Sequence, residues 1–267
     1  MKKFKSIITL LVSMILVSAF TTALIADAAT RRVLYATINP QEQDYYCGVA
    51  SLQALLRNEN SHNSSKLKSD ARGSKSQKDV VGLIKKYGGG YNVDSTHETA
   101  WFTGNDSSQA SNRGYNPLCA TLQRMTDYDW QILGRYTNRD LQFNATNVRY
   151  KIMNSIDHNH CVLANGQSCY KVKDNNGYVK IISYNIKIKL GFAGNTERIY
   201  PNTTGHWFVV DGYEDNGYTL LIRDPAWHGV GCGSWNDSSN IFRISLSEFM
   251  RYIDGSHGII YWNKESK

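Results

Sequence analysis

The chain has 267 residues, 41% hydrophobic and 12% aromatic, with 30 Lys and Arg against 23 Asp and Glu. The formal net charge of +7 permits contact with anionic polymers but does not by itself mark a nucleic-acid-binding protein. The length suits one α/β or α+β domain with a substantial core, and no repeat or low-complexity tract divides it.

Met1-Lys2-Lys3-Phe4-Lys5 is a short positive start, and no charge appears from Ile7 to Ala26. Ala26-Asp27-Ala28 then supplies the small residues that a signal peptidase reads, so residues 1–28 are predicted to be a bacterial-type secretory signal cleaved after Ala28. A retained anchor is the alternative, because about 20 uncharged residues can span a bilayer. The polar Thr9, Ser13, Thr21 and Thr22 favour removal. Cleavage takes away three lysines and one aspartate, bringing the charge from +7 to +5. No later stretch is long and apolar enough to cross a membrane, so residues 29–267 are expected to form one exported domain without stable membrane association.

Within it, Cys47 to Arg57 reads as a helix, with Val49, Ala50, Leu52, Leu55 and Leu56 on its apolar face. Residues 59–76 read as a polar connection. A second helix is predicted from Lys78 to Tyr87, opened by Ser76 with Asp79 three residues on and stopped by Gly88-Gly89-Gly90. Asn116-Pro117 is a helix start, followed by Leu118, Leu122 and Met125 on one face. Val148, Ile152 and Ile156 mark another helix, entered near Asn144. Residues 88–145 otherwise carry no recognisable motif.

The period then falls to two. Ile182, Tyr184, Ile186, Ile188 and Leu190 alternate with polar residues as a half-buried strand, preceded by a turn at Asp174-Asn175-Asn176-Gly177. His206 to Tyr213 is a more continuously apolar strand. It turns at Asp215-Asn216-Gly217 into Tyr218 to Arg223 as a hairpin. Ser245, with Glu248 three on, opens a short helix carrying Leu246, Phe249, Met250 and Ile253, and Gly258 to Trp262 closes the chain as a strand. Helices leading and strands following indicate an α+β fold.

Five cysteines are an odd number for an exported protein, which leaves at least one thiol to explain. Cys47 stands at a helix start, where unpaired N–H groups and the helix dipole favour a thiolate. Gly48 keeps the approach to its sulfur clear. The Cys47 amide and an upstream glutamine, Gln41 or Gln43, can share an oxyanion. His206 begins a strand, a rigid mount for a general base, and the hairpin returns Asp224 to the level of His206 to orient its ring. Asp211 is the rival orienter, but five residues along a strand put it on the opposite face. The order Cys47, His206, Asp224 is that of a nucleophile, base and orienter.

Cys47-Gly48-Val49-Ala50 with a glutamine six residues upstream, then Gly205-His206-Trp207 and Asp224-Pro225, resembles the bacteriocin-processing double-glycine peptidases. The closer likeness is to their stand-alone secreted relatives, the "thirty-nine-like" peptidases. The resemblance implies a papain-like cysteine protease fold, in which a nucleophile helix packs on an antiparallel sheet bearing His and Asp. It implies Cys47 as nucleophile, His206 as base, Asp224 as orienter and Gln41, rather than Gln43, as oxyanion donor, with no cofactor. Exporter-fused members face the cytoplasm, whereas this chain carries an export signal and no transporter, so cleavage after a double glycine is not carried over.

Other conspicuous residues read more plainly. His158, His160 and Cys161, with Cys169 eight on, crowd one helix end too closely for tetrahedral zinc, and a helix-terminal histidine pair is favoured. Cys161 and Cys169 either close a small disulfide loop or stay apart; the pairing of Cys119 and Cys232 is open. His228 and His257 read as surface or packing residues. Trp207, Trp227 and Trp235 read as core before cleft. The expected partner is a peptide or protein substrate, with a cell-wall polymer as a further partner and no nucleic acid. A cell-wall peptide hydrolase, a transferase and a non-catalytic binding module are the alternatives on this fold.

Overall fold

The computed structural model describes residues 31–42, 46–88, 116–134, 142–167, 170–173, 178–183, 186–189, 197–200, 205–225, 241–253 and 258–263. Its helices are α1 (Cys47–His62), α2 (Gln77–Tyr87), α3 (Pro117–Met125), α4 (Ala145–Asp157) and α5 (Leu246–Ile253). The strands are β1 (Arg32–Val33), β2 (Trp130–Leu133), β3 (Val162–Gln167), β4 (Tyr170–Lys173), β5 (Val179–Ser183), β6 (Ile186–Lys189), β7 (Glu197–Tyr200), β8 (Gly205–Glu214), β9 (Thr219–Arg223), β10 (Ile241–Ser245) and β11 (Gly258–Trp262).

Local signals in the sequence explain the helix starts. Ser76 accepts from the Asp79 amide while Asp79 accepts from the Ser76 amide, a complete capping box for α2. Asn116 caps α3 with Pro117 in its first turn, and Asn144 caps α4. Each cap satisfies N–H groups that the helix itself leaves unpaired. α1 begins at Cys47 as expected but runs past Arg57 to His62. The polar residues there stay helical because their partners lie elsewhere in the chain. Asn58 Nδ2 donates to Asn159 O at 2.7 Å, and Glu59 meets His160 at 2.9 Å.

One seven-stranded sheet carries the domain, in the order β10-β9-β8-β3-β11-β2, with β1 added beside β8. Every pairing between these strands is antiparallel. Along β8, Trp207 and Val209 enter a core with residues of α1, α2 and α3, including Leu52, Leu55, Val80, Ile84 and Leu122. Phe208 and Val210 enter a second core with Ile152, Ile156, Phe249 and Tyr252 of α4 and α5. The two-residue strand period thus feeds helices on both faces. Packing is close enough on the second face that a Cβ at Gly166 would run into the Tyr252 ring.

This confirms α+β, with a helix bearing Cys47 packed on an antiparallel sheet bearing His206 and leading to Asp224. One further reading changes. The strand expected from Ile182 to Leu190 is two strands, since β5 pairs with β4 and β6 with β7 in separate two-stranded sheets; alternation reports a half-buried strand but not its partner. The turn expected at 174–177 lies outside the described residues, although β4 and β5 on either side of it pair antiparallel. No helix among the described residues is long and apolar enough to cross a membrane.

At Asp211 the β8–β9 register shifts between Val210 and Gly212, a β-bulge. Bulges re-aim side chains, and here the Asp211 carboxylate accepts from Arg223 Nε at 2.5 Å and from the Ala36 amide at 3.0 Å. Its carbonyl also takes the Leu34 amide at 2.8 Å. Burial pushes the Asp211 carboxyl up from its ordinary value, and Arg223 opposes that rise. Asp211→Asn leaves the Arg223 guanidinium buried without its counter-charge and is predicted to cost about 3–5 kcal/mol of stability, read from the urea midpoint; a loss below about 1 kcal/mol contradicts this account.

Tyr213 Oη donates to Asp157 at 2.7 Å, fastening α4 to β8. Burial, and then that hydrogen bond, push its phenol up from 10.0 to about 12. Because the folded value is the higher one, this contribution is whole below pH 10 and is lost as the pH rises through about 12. Tyr213→Phe is predicted to lose about 1 kcal/mol at neutral pH and to flatten the alkaline fall in stability, measured by denaturation at pH 8 to 12. An unchanged alkaline slope counts against it.

Candidate active site

His206 is the second residue of β8, and Asp224 directly follows β9. The hairpin between them is built on Asp215, Asn216 and Gly217, all at positive φ, a conformation that Asp, Asn and Gly adopt most readily. With Val209 opposite Arg223, the hairpin sets Asp224 level with the start of β8. The result is a hydrogen bond of 2.6 Å between His206 Nε2 and Asp224 Oδ1, with both residues buried. The imidazole shares the second face of the sheet with Phe208, 6.5 Å between ring centroids.

Gln41 is held beside this pair from the N-terminal side. Its amide donates to Pro225 O at 3.0 Å, one residue beyond Asp224. The peptides flanking Gln41 are fixed as well: Gln77 Nε2 donates to Pro40 O at 2.7 Å and Gln77 Oε1 accepts from the Glu42 amide at 2.9 Å. Gln43, the other glutamine considered, lies outside the described residues.

Cys47 shares a core with the strand that carries His206. It is the first residue of α1, buried, in the core that also contains Trp207 and Val209. Glu59, near the far end of α1, touches His160, two residues before Val162, the partner of Val210. From Cys47 to Glu59 is twelve helical steps, about 18 Å. From His206 to Gly212 is six strand steps, about 20 Å. The two runs are thus of similar length. The first turn of α1 holds no acidic residue, and the Tyr46 side chain makes no cap.

The remaining conspicuous residues do other work. Asp211 is committed to Arg223 and Ala36, and the carboxylate that meets the His206 ring is that of Asp224. His158 Nδ1 donates to Asn154 O at 2.8 Å. His160 is buried, paired with Glu59 and packed between Trp262 at 4.7 Å and Tyr128 at 4.6 Å. Among the described residues no group of three or more His, Cys, Asp or Glu is placed to hold a metal ion. Cys161 is a buried free thiol, pushed well above its ordinary pKa chiefly by burial and then by Asp211 and Glu59. Cys119 is a buried thiol donating to Trp130 O at 3.5 Å. Trp207 is core, while Cys169, Cys232, His228, His257, Trp227 and Trp235 lie outside the described residues.

Two solved structures are similar to this chain. Xylellain, a cysteine protease from Xylella fastidiosa, is 11% identical with a TM-score of 0.37, the alignment covering 91% of this chain and 89% of that one. The Carica candamarcensis cysteine protease CMS1MS2, solved in complex with E-64, is 12% identical with a TM-score of 0.34, covering 89% and 99%. No curated protein sequence matches. Residues 33–245 match the Peptidase_C39 like family, as the motifs around Cys47, His206 and Asp224 led us to expect. That match spans well over half the chain, and the chain belongs to the Peptidase_C39 like family of cysteine peptidases.

Proposed function

We propose that this protein cleaves peptide bonds through an acyl-enzyme, with Cys47 as nucleophile, His206 as base, Asp224 as orienter and Gln41 as oxyanion donor. The observation that carries the reading is the 2.6 Å contact between buried His206 and Asp224, in a fold where α1, which begins with Cys47, shares a core with β8. Asp224 accepts from Nε2–H, so the ring is held in the tautomer whose Nδ1 carries the lone pair. Nδ1 takes the thiol proton as the sulfur attacks the acyl carbon. The carbonyl electron pair moves to oxygen, which the Cys47 amide and the Gln41 side chain receive. His206 then returns the proton to the departing amine as the C–N bond breaks. In the second half a water molecule, deprotonated by the same nitrogen, attacks the thioester and expels the thiolate. The imidazole stands on the Phe208 face and Cys47 in the core on the Trp207 face, so in this reading the thiol reaches the ring around the end of β8.

The site uses side chains and backbone alone, and the substrate is a peptide or protein. Residues 1–28 direct export in this reading, and the domain of residues 29–267 works outside the cell or at the envelope. Its net charge of +5 favours surroundings rich in anionic wall polymer, which makes wall-linked peptides a substrate class to include.

Cys47→Ala and His206→Ala are predicted to abolish hydrolysis of an unbiased peptide library and of peptidoglycan peptides. Asp224→Ala is predicted to lower kcat by about 10²- to 10⁴-fold. A thiol-directed alkylating agent is predicted to label Cys47 ahead of Cys119 and Cys161. Full hydrolysis by Cys47→Ala overturns the nucleophile, and labelling without preference for Cys47 points instead to a binding module.

A further inference from the structure

Gln77 plays no part in the chemistry above, yet it is fully buried at the first position of α2. Both ends of its side-chain amide are spent on one short stretch of backbone. Nε2 donates to Pro40 O at 2.7 Å, and Oε1 accepts from the Glu42 amide at 2.9 Å. These are the residues immediately before and after Gln41. A donor–acceptor pair of this kind fixes the two peptide planes that set the direction of the Gln41 side chain, as a single hydrogen bond would not.

Gln77 is itself fastened to the helix that carries Cys47. Gln53 of α1, also buried, donates from Nε2 to Lys75 O at 2.5 Å, two residues before Gln77, and the Ser76 capping box sets the start of α2. On its other side the Gln41 amide is bonded to Pro225 O, adjoining Asp224. The connection therefore runs from the nucleophile helix through Gln53, Lys75 and Gln77 to Gln41, and on to Pro225, Asp224 and His206.

We infer that Gln77 is a positioning residue for the oxyanion donor, fixing Gln41 relative to Cys47 by holding the peptides on either side of it. The inference rests on the assignment of Gln41 above. A preorganised donor stabilises the transition state only if it is already aimed when charge develops. Loss of the clamp should thus lower kcat and leave KM and the thiol's own reactivity nearly untouched.

The test is a double-mutant cycle on the full-length mature protein, with fluorescein-labelled casein as substrate and iodoacetamide as a probe of Cys47. Alkylation by iodoacetamide displaces iodide at a methylene carbon and builds no oxyanion. Gln77→Met, which keeps the side-chain length without its hydrogen bonds, is expected to lower kcat about 10- to 100-fold, with KM changed less than about threefold and Cys47 alkylation at the wild-type rate. Gln77→Glu keeps the acceptor for Glu42 and loses the donor to Pro40, so it is expected to fall between Gln77→Met and wild type; it carries the test if Gln77→Met does not fold. In a Gln41→Ala background, itself expected to lose about 10²- to 10³-fold, either change at Gln77 is expected to add nothing further. Wild-type kcat in the Gln77 variants, additive losses, or a parallel slowing of alkylation each overturn the inference. Wild-type kcat in Gln41→Ala overturns instead the reading of Gln41 on which it depends.

Discussion

A carboxylate taken out of water loses several kilocalories per mole of hydration, and it stays charged only where hydrogen bonds or a counter-charge replace what was lost. Asp224 is in that position, 2% exposed, with His206 Nε2 at 2.6 Å. The contact works in both directions. It gives the carboxylate a donor, and it holds the imidazole in one tautomer and one orientation. The strand pairing of β8 with β9, the tight turn at Asp215 to Gly217 and the bulge at Asp211 all serve to bring these two side chains level.

The rest of the domain brings other segments to the same point. The N-terminal segment from Leu34 to Glu42 is pinned at both ends, by Asp211 at Leu34 and Ala36 and by Pro225 and Gln77 around Gln41. α1 lies along the sheet, its far end held by Glu59 to His160 and Asn58 to Asn159. Among the described residues, two groups of buried polar side chains bear on this arrangement. One frames the candidate site, and the other, Asn58, Glu59 and His160, holds the C-terminal part of α1. The second cluster is the one whose histidines resembled a metal site in the sequence.

Legibility in the sequence followed the range of the interaction. Ser76 with Asp79, Asn116 with Pro117, and Asn144 act within a few residues, and each marked its helix start correctly. The β8–β9 hairpin was equally plain, because Asp215-Asn216-Gly217 is a local signal, and with it came the pairing of His206 with Asp224. β1, β2, β3, β4, β7 and β10 went unread. β3 is buried by helices on both faces, so Val162, Leu163 and Ala164 show no alternation to recognise. The C-terminal turn of α1 was missed because Asn58 and Glu59 look solvent-facing until their partners, about a hundred residues away, are known. Gln77 was invisible for the same reason: a glutamine in the first turn of a helix is unremarkable, and only the fold shows what its amide reaches.

If Cys47, His206, Asp224 and Gln41 act on one carbonyl group, a crystal structure of residues 29–267 reacted with a peptidyl aldehyde, which mimics the tetrahedral intermediate, will show it. A hemithioacetal is expected on Cys47 Sγ, its oxygen within hydrogen-bond reach of Gln41 Nε2 and the Cys47 amide, and His206 Nδ1 turned to the adduct with Nε2 still on Asp224. An adduct on another cysteine, or one on Cys47 whose oxygen meets neither donor and whose sulfur lies beyond reach of His206, would contradict it.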